Sequence, residues 1–394
     1  MHTAATNHRI ILPIAALQFI YLLNFIILLP LGPDVAQALA FPVEHLNWFS
    51  AAYTGASIVA GLLSIRVLDR FNRKHALLAC FAGLVLSTYA AAQAHSAWAL
   101  LAARALTGLF GSPTVALGMA LIIDNTPPQQ RGAAIGKVML GFSAATLAGI
   151  PAALELAHYG NWRTAFHALA ALALLTLLLN ALLLPNTGKP QPTDTPTTLR
   201  TLLKQRNIRT ACLVQASNQF ATFLIVPVFS AVFVMNLGYP REQLSTLYLI
   251  GGLVAMLTMQ ATGKLNDRFG ALPPTLIATA CFALGLAPFL GFNNLPLVLV
   301  FVLFMASNAS RNVSLMSLTS HIPKPQERAS YMALQQIAQN IAIALAALVA
   351  AGILRSNTDG YLMETTPLAL LAIATATLTL VGVKRLEEGI ERTV

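Results

Sequence analysis

The sequence is poor in charged residues, above all in acidic ones. Only 10% of its 394 residues are Asp, Glu, Lys or Arg, whereas 56% are hydrophobic. A soluble protein usually carries about 25% charged residues to cover its surface. This composition therefore excludes an ordinary water-soluble domain and predicts that most of the surface faces the hydrocarbon of a membrane.

Cysteine is also scarce, and the motifs of the common enzyme sites are missing. The three cysteines lie inside apolar runs without the spacing of metal ligands, so we expect them to pack the interior. The chain has no Gly-rich loop that ends in Lys-Ser or Lys-Thr and no plausible Ser-His-Asp arrangement. We therefore predict a protein that is not an enzyme, holds no cofactor or metal, and is not driven directly by ATP.

Long apolar runs, by contrast, occur throughout the chain. A bilayer core of roughly 30 Å is crossed by about 20 apolar residues in a helix, and a backbone in lipid must satisfy its own hydrogen bonds. The runs of this length are 10–31, 46–68, 75–93, 97–123, 133–156, 164–184, 211–235, 244–265, 274–292, 295–320, 329–354 and 365–383. The first is too long for a signal peptide and has no cleavage site after it. The sequence thus predicts an all-α membrane protein with twelve transmembrane helices.

A charged motif occurs twice and divides the chain into related halves. Asp69–Lys74 follows the second apolar run, and Asp267–Gly270 follows the eighth, 198 positions later. A Pro-rich and then basic stretch separates the sixth run from the seventh. We predict two pseudo-symmetric six-helix halves, 1–184 and 211–394, joined by a cytoplasmic linker over 185–210.

The net charge of +10 reflects where the basic residues lie along the chain. With both termini in the cytoplasm, all but five of the 24 Lys and Arg residues fall on the cytoplasmic side. This bias is the positive-inside pattern of membrane proteins, so it predicts the orientation and no binding of nucleic acid. The partners that we expect are a small solute, membrane lipid and protons, with the protein a monomer.

Polar side chains are concentrated on a few of the predicted helices. Polar residues within a membrane face the protein interior or a water-filled path. The alternative is that they serve only to join helices by hydrogen bonds. The first and seventh helices carry repeat-related polar faces, and the third, ninth and twelfth are plain enough to face lipid. The predicted cavity residues of this kind are Gln18, Tyr21, Asn24, Gln215, Asn218, Asn308, Gln336 and Gln339.

Two arginines fall within the predicted membrane, and no acidic residue lies in the middle of it. An arginine near the bilayer centre costs roughly 2.5–3.5 kcal/mol, so Arg104 and Arg311 are candidates for solute binding or for a structural hydrogen-bond role. A cavity with two arginines and no central carboxylate attracts anions and disfavours lipophilic cations. Proton coupling would then depend on Asp34 or Glu155, which lie at outer helix ends.

The repeated charged motif predicts a conformational latch. A carboxylate such as Asp69 is stabilised by the positive N-terminal end of a helix, and Asp267 would repeat the contact in the other half. Because such contacts form only when the cytoplasmic side is closed, they would favour an outward-facing state. The other predicted members are Arg70, Arg73, Asp124, Arg131 and Arg268.

Several motifs in this order resemble the major facilitator superfamily, in particular its bacterial drug and sugar efflux branch, which is drug:proton antiporter-like. They are Asp69–Lys74, Arg104–Gly108, Gly141 with Gly149–Pro151, Trp162–Phe166 and Gly263–Gly270. Family members usually have further glycines where this chain has Ala152 and Ala153.

The resemblance implies export of a small organic solute by proton-coupled alternating access across a bacterial inner membrane. Our reading of the cavity adds a preference for anionic or polar, hydroxyl-rich solutes. An importer or facilitator of an organic anion, a general multidrug efflux pump, and a receptor on the same scaffold remain the alternatives.

Overall fold

The computed structural model describes residues 2–67, 72–127, 131–185, 199–292, 294–320, 322–323, 328–357 and 361–391. These residues are mostly helical, as the apolar runs predict. The α-helices are α1 (His2–Ile26), α2 (Gly32–Ala38), α3 (Asn47–Val67), α4 (Arg73–Ala92), α5 (Ala97–Asp124), α6 (Arg131–Ala144), α7 (Ile150–Tyr159), α8 (Trp162–Leu183), α9 (Leu199–Lys204), α10 (Arg206–Ala231), α11 (Leu244–Phe269), α12 (Leu272–Gly285), α13 (Leu297–Ser320), α14 (Arg328–Ile353) and α15 (Thr365–Glu391). A two-residue antiparallel hairpin pairs β1 (Arg355–Ser356) with β2 (Leu362–Met363).

Among the described residues, nine helical segments are long and apolar enough to cross a membrane. The shorter apolar helices Ile10–Ile26 and Leu272–Gly285, together with α3, bring the set to the predicted twelve. The predicted fold class is confirmed: the chain is an all-α membrane protein with the twelve-helix architecture.

The chain forms two compact units. Unit 1 contains Met1–Phe41 and Ala52–Pro192, and unit 2 contains Pro42–Ala51 and Thr193–Val394. The segment between α2 and the first turn of α3 therefore packs with the later part of the sequence.

Unit 1 is built from helices with well-defined starts. The side chains of Asn72, Ser96 and Asn161 accept hydrogen bonds from the first backbone N–H groups of α4, α5 and α8. Such capping satisfies donors that have no partner within the helix. The predicted run 133–156 is not one uniform helix, because a π-helical turn at Ala145–Gly149 separates α6 from α7.

Glycine permits two close helix approaches in unit 1. A Cβ at Gly108 of α5 would collide with the carbonyl oxygen of Tyr53 on α3. A Cβ at Gly141 of α6 would collide with the carbonyl oxygen of Ala15 on α1. The absence of a side chain at these positions lets the backbones come into contact, as in other membrane helix pairs.

Unit 2 has a tightly packed apolar interior. A cluster of aromatic rings joins α10 to α12 and α13, with Phe229 and Phe304 at a centroid distance of 4.4 Å. Near the start of α10, Ile208 and Ala211 pack with Val383 and Leu386 of α15. The start of α10 and the end of α15 therefore lie at the same end of unit 2.

Two short helices and the hairpin were not predicted. The α2 and α9 helices are only seven and six residues long, and each lies beside or within a segment that we read as a helix end or linker. In the hairpin, Leu362 donates its N–H to the Asn236 side chain and accepts from its Nδ2. This side chain therefore fixes the hairpin to the π-helical turn Val232–Asn236, which follows α10.

Candidate functional site

Arg311 is the most deeply buried charge of unit 2. It lies in the middle of α13 and has no exposed surface. Its Nη2 donates to Thr222 Oγ1 of α10 at 2.8 Å and to Asn308 Oδ1 at 3.1 Å. The guanidinium carbon lies 4.1 Å from the ring centroid of Phe282 on α12, a cation–π distance. Residues of α10, α12 and α13 therefore contact Nη2 and one face of the Arg311 guanidinium.

The rest of the Arg311 guanidinium has no protein partner. Its Nε and Nη1 are buried and make no hydrogen bond. No described carboxylate forms an ion pair with Arg311. A buried cation without a counter-charge is unfavourable, and its free N–H groups suit an anionic or strongly polar acceptor.

Amide side chains extend the polar face away from Arg311. Asn218 donates from Nδ2 to Asn312 Oδ1 at 3.2 Å, and Gln219 donates from Nε2 to Gln339 Oε1 at 3.1 Å. These bonds join α10 to α13 and to α14. Asn218 still has a buried Oδ1 without a partner, as Gln215 has a buried Oε1. The polar face of α10 therefore carries both amides that bond to other helices and amide oxygens that have no hydrogen-bond partner.

Gln336 differs from the other predicted amides. It is exposed, and it donates from Nε2 to Asn340 Oδ1 on the same helix at 3.2 Å. Its neighbour Gln335 donates to Thr319 Oγ1 of α13 at 3.2 Å. Within α14, Gln339 is therefore the predicted residue that the structure joins to the amide network of α10.

Arg104 is equally buried but much better satisfied. It lies on α5 of unit 1 and is 1% exposed. Its Nη1 donates to the carbonyl of Asn24 at 2.6 Å and its Nη2 to that of Phe25 at 3.1 Å. Its guanidinium carbon lies 4.8 Å from the ring centroid of Tyr53. Since α1 ends at Ile26, Arg104 satisfies carbonyls of its last turn and complements the negative end of its dipole.

The polar residues predicted on α1 have separate roles. Asn24 is fully buried and donates from Nδ2 to Thr88 Oγ1 of α4 at 2.7 Å. Gln18 is buried, and Tyr21 is half-buried with its ring centroid 6.4 Å from that of Tyr53. These residues and Arg104 form a polar and aromatic group within unit 1.

The described latch residues lie at helix ends. Arg73 Nη1 and Asp124 Oδ2 form an ion pair at 2.5 Å, which joins the start of α4 to the end of α5. Asp267 and Arg268 are exposed in the last turn of α11. Asp69, Arg70 and the side chain of Arg131 lie outside the described residues.

The two proton-coupling candidates lie on other helices than Arg104 and Arg311. Asp34 is half-buried in the first turn of α2, and Glu155 is exposed on α7. The described part of the chain contains no cluster of His, Cys, Asp or Glu that suits a metal ion.

Phe282, Gln219 and Tyr53 were missed by sequence reasoning. Phe282 lies on the ninth predicted helix, which looked plain, and the corresponding third helix supplies Thr88 to Asn24. A phenylalanine in an apolar helix looks like any other lipid-facing or core residue in the sequence. Its contact with the guanidinium is therefore visible only in the packed structure. Gln219 does lie four residues after Gln215, and this helical spacing was a usable signal.

A cleft of about 220 Å³ in unit 1 does not coincide with any of these polar groups. It lies between α1, α7 and α8, and every residue that lines it is apolar or glycine, including Phe19, Leu23, Gly149 and Leu169. Hydrogen-bonding chemistry at Arg311 or Arg104 therefore cannot be assigned to this cleft.

Comparison with known proteins places the fold in a family of membrane transporters. The solved structures of the nucleoside transporter NupG and the human organic anion transporter MFSD10 (TETRAN) have TM-scores of 0.75 and 0.67, at 16% and 19% identity. Each likeness covers 96% of this chain and 99% of the other, and at this identity it shows the fold alone.

The sequence relatives of this chain are membrane transport proteins of low identity. The uncharacterized MFS-type transporters YtbD and YwfA of Bacillus subtilis are 26% and 23% identical, over 60% and 81% of this chain and 60% and 79% of their own lengths. The inner membrane transport protein YdhP of Escherichia coli is 24% identical over 67% of this chain and 68% of its own length. The Major Facilitator Superfamily model matches residues 14–347. The chain therefore belongs to the Major Facilitator Superfamily, whose members are membrane transporters and not enzymes.

Proposed function

We propose that this protein is a secondary transporter of a small organic solute that carries an anionic or strongly polar group. One observation carries the proposal: Arg311 is fully buried, has no carboxylate partner among the described residues, and keeps two nitrogens, Nε and Nη1, without an acceptor. A solute carboxylate or similar group would supply the missing acceptor and the missing charge.

The surrounding amides favour a solute with further hydrogen-bonding groups. Gln215 and Asn218 each keep one buried oxygen acceptor, which a solute hydroxyl group satisfies by donation. Asn308 accepts from Thr222 of α10, and Gln339 accepts from Gln219 of α10, so both residues already bond between helices. We therefore assign solute binding to the polar face of α10, α13 and α14 in unit 2. Gln18, Tyr21 and Asn24 remain predicted solute-binding residues of unit 1.

Arg104 has a positioning role in this proposal. Its hydrogen bonds to the carbonyls of Asn24 and Phe25 fix the end of α1, and with it the polar side chains that α1 carries. A movement of α1 would change these bonds, so Arg104 links the conformation of α1 to that of α5.

We further propose that transport is export by proton-coupled alternating access in a bacterial inner membrane, with both termini cytoplasmic and the chain a monomer. The halves that move are 1–184 and 211–394, joined by the linker 185–210. The latch residues are the described Arg73, Asp124, Asp267 and Arg268 with Asp69, Arg70 and Arg131. A relative of this chain, a probable sugar efflux transporter of Haemophilus influenzae, supports the direction and is 25% identical over 39% of each chain.

Coupling to protons is assigned to Asp34 or Glu155, which lie at predicted outer helix ends. Proteoliposomes with an imposed pH gradient test this step. Asp34→Asn or Glu155→Gln should abolish gradient-driven accumulation of solute and leave counterflow of solute intact. Loss of both activities, or of neither, would contradict the assignment.

The second candidate is an importer or facilitator of an organic anion. The incomplete motif of the fifth predicted helix, with Ala152 and Ala153 in place of the usual glycines, and the lack of a described carboxylate in the middle of the spans favour it. Transport into right-side-out and inverted membrane vesicles separates import from export.

A thermal-shift screen in detergent tests the solute class. A ligand that binds the folded protein raises its unfolding temperature by mass action. Anionic solutes should stabilise the wild type and lose this effect in Arg311→Gln. Ser310→Ala is the matched control, since Ser310 lies on the same helix and accepts from Thr262 instead.

Thr222→Val provides a second variant in case Arg311→Gln does not fold. It keeps the charge but removes an acceptor that orients Nη2, so it should weaken the anion-induced shift by about tenfold in concentration. Equal stabilisation of all variants by lipophilic cations would show that Arg311 is structural and would favour a general multidrug efflux pump.

A further inference from the structure

We propose that the end of unit 2 where α10 begins and α15 ends binds the phosphate headgroups of anionic phospholipids in the surrounding membrane. The surface consists of five exposed basic residues, which we name the basic rim. They are Lys204, Arg206, Arg209, Lys384 and Arg385.

The basic rim is held on a rigid base. Leu202 of α9 and Ile208 of α10 are fully buried, in one apolar cluster with Val383 and Leu386 of α15. The turn between α9 and α10 is also closed by hydrogen bonds, from the N–H of Gln205 to the carbonyl of Leu202 at 3.0 Å and from the N–H of Arg209 to the carbonyl of Gln205 at 3.1 Å. The basic side chains therefore project from fixed backbone positions.

Along α10 the exposed charges lead into an exposed apolar position. Arg206, Arg209 and Leu213 have the spacing i, i+3 and i+7, which places them on one helical face. Leu213 is 69% exposed. It lies two residues before Gln215, so it points to the opposite side of α10 from the polar face described above. This second face suits contact with lipid.

The α15 helix has the same arrangement in the opposite chain order, with the exposed apolar residues first and the basic residue last. Leu378, Val381 and Arg385 also have the spacing i, i+3 and i+7, and the two apolar residues are 64% and 47% exposed. Because α10 and α15 run antiparallel at this end, both place apolar side chains towards the membrane interior and arginine at its boundary. Acyl chains and phosphate groups of one lipid leaflet are ordered in the same way.

None of these five cations forms an ion pair with a described acid. Glu387 of α15 instead accepts from the N–H groups of Ala271 and Leu272. The exposed Glu388 lies one helical turn from Lys384 and Arg385, so it offsets one of the five positive charges. A basic residue near an anionic membrane surface contributes about 1 kcal/mol of attraction, which falls off within a Debye length of about 10 Å. Several cations on a fixed base therefore favour anionic over zwitterionic lipid.

Lipid titration of the full-length protein in detergent tests the proposal. The triple variant Arg206→Gln, Arg209→Gln and Arg385→Gln is compared with the wild type for binding of phosphatidylglycerol and of phosphatidylcholine, by native mass spectrometry and thermal shift. The control variant Lys137→Gln, Lys264→Gln and Arg355→Gln removes the same charge from exposed positions elsewhere.

We expect phosphatidylglycerol to bind the wild type and the control alike, and the rim variant at least about fivefold more weakly. High salt should reduce the difference. Equal binding by all three proteins, or no preference of the wild type for phosphatidylglycerol, would overturn the proposal. Equal stabilisation by inorganic phosphate alone would identify a soluble anion as the occupant and overturn it too. If the triple variant does not fold, Arg385→Gln against Arg355→Gln gives the same comparison.

Discussion

At the residue scale, the two buried arginines show how one side chain type takes different roles. Arg104 donates to two backbone carbonyls at the end of α1, where the helix supplies negative partial charge. Arg311 donates through one nitrogen to Thr222 and Asn308 and leaves Nε and Nη1 without an acceptor. The first arginine therefore leaves one buried nitrogen, Nε, without an acceptor, whereas the second leaves two and has no backbone carbonyl as a partner.

The role of Arg104 predicts a loss of stability on substitution. Arg104→Gln removes two charge-assisted hydrogen bonds, each worth about 1.5–3 kcal/mol, and leaves buried carbonyls on Asn24 and Phe25. We expect a clearly lower unfolding temperature in detergent, while the relative stabilisation by an anionic ligand persists. Wild-type stability together with a lost ligand effect would show instead that Arg104 binds the solute.

At the element scale, the ends of the helices fix their neighbours. The first turn of α12 contains Pro273 and Pro274, which have no N–H, so its remaining early donors are Ala271 and Leu272. Both donate to Glu387 Oε1 of α15, at 2.5 and 3.1 Å. In unit 1 a lysine has the corresponding role at a helix C-terminus. Lys74 Nζ, at the start of α4, donates to the carbonyl of Leu184 at the end of α8 at 2.6 Å.

Removal of this cap should destabilise unit 2. Glu387→Ala leaves the two N–H groups without their acceptor and removes a negative charge from a helix N-terminus, which together cost about 1–2 kcal/mol. Glu388→Ala on the same helix is the control, because Glu388 is exposed. Thermal unfolding in detergent should show a lower midpoint for Glu387→Ala only. Equal midpoints would mean that water replaces the carboxylate without cost.

A pair of glycines on α6 predicts opposite effects of the same substitution. A Cβ at Gly141 would meet the carbonyl of Ala15, so Gly141→Ala forces α1 and α6 apart at a cost of about 1–3 kcal/mol. At Gly136 the Cβ would meet nothing within 4 Å, so Gly136→Ala should gain about 0.5–1 kcal/mol from helix propensity. Unfolding temperatures of the two variants test the contact, and a tolerated Gly141→Ala would refute it.

The sequence predicted elements better than contacts. Apolar length and polar spacing are local properties, so they located the helices and the polar face of α10. The acceptors of Arg104 are backbone carbonyls of another helix, and Phe282 is a ring on a plain one, so neither carries a signal in the sequence. The π-helical turn at Ala145–Gly149 was missed for the same reason, because its apolar residues fit an uninterrupted helix equally well.

At the scale of the whole molecule, the positions of the basic residues are connected to the predicted orientation in the membrane. Many of the described basic residues lie at or near helix ends, where they contribute to the predicted orientation, the ion pair of Arg73 with Asp124, and the basic rim. The predicted orientation and the basic rim share one requirement, that the start of α10 and the end of α15 face the cytoplasm. The positive-inside rule connects them to the direction of insertion.

This orientation predicts which loops react with a membrane-impermeant maleimide on intact cells. In a variant without the native cysteines, Tyr361→Cys near the hairpin should be labelled, since Tyr361 is 48% exposed and lies on the predicted outer side. Thr201→Cys on α9 is exposed too but should react only after the cells are permeabilised. The reverse pattern would place the basic rim on the outer leaflet and invert the predicted topology. Labelling of both sites in intact cells would mean that the segments between them do not cross the membrane an odd number of times.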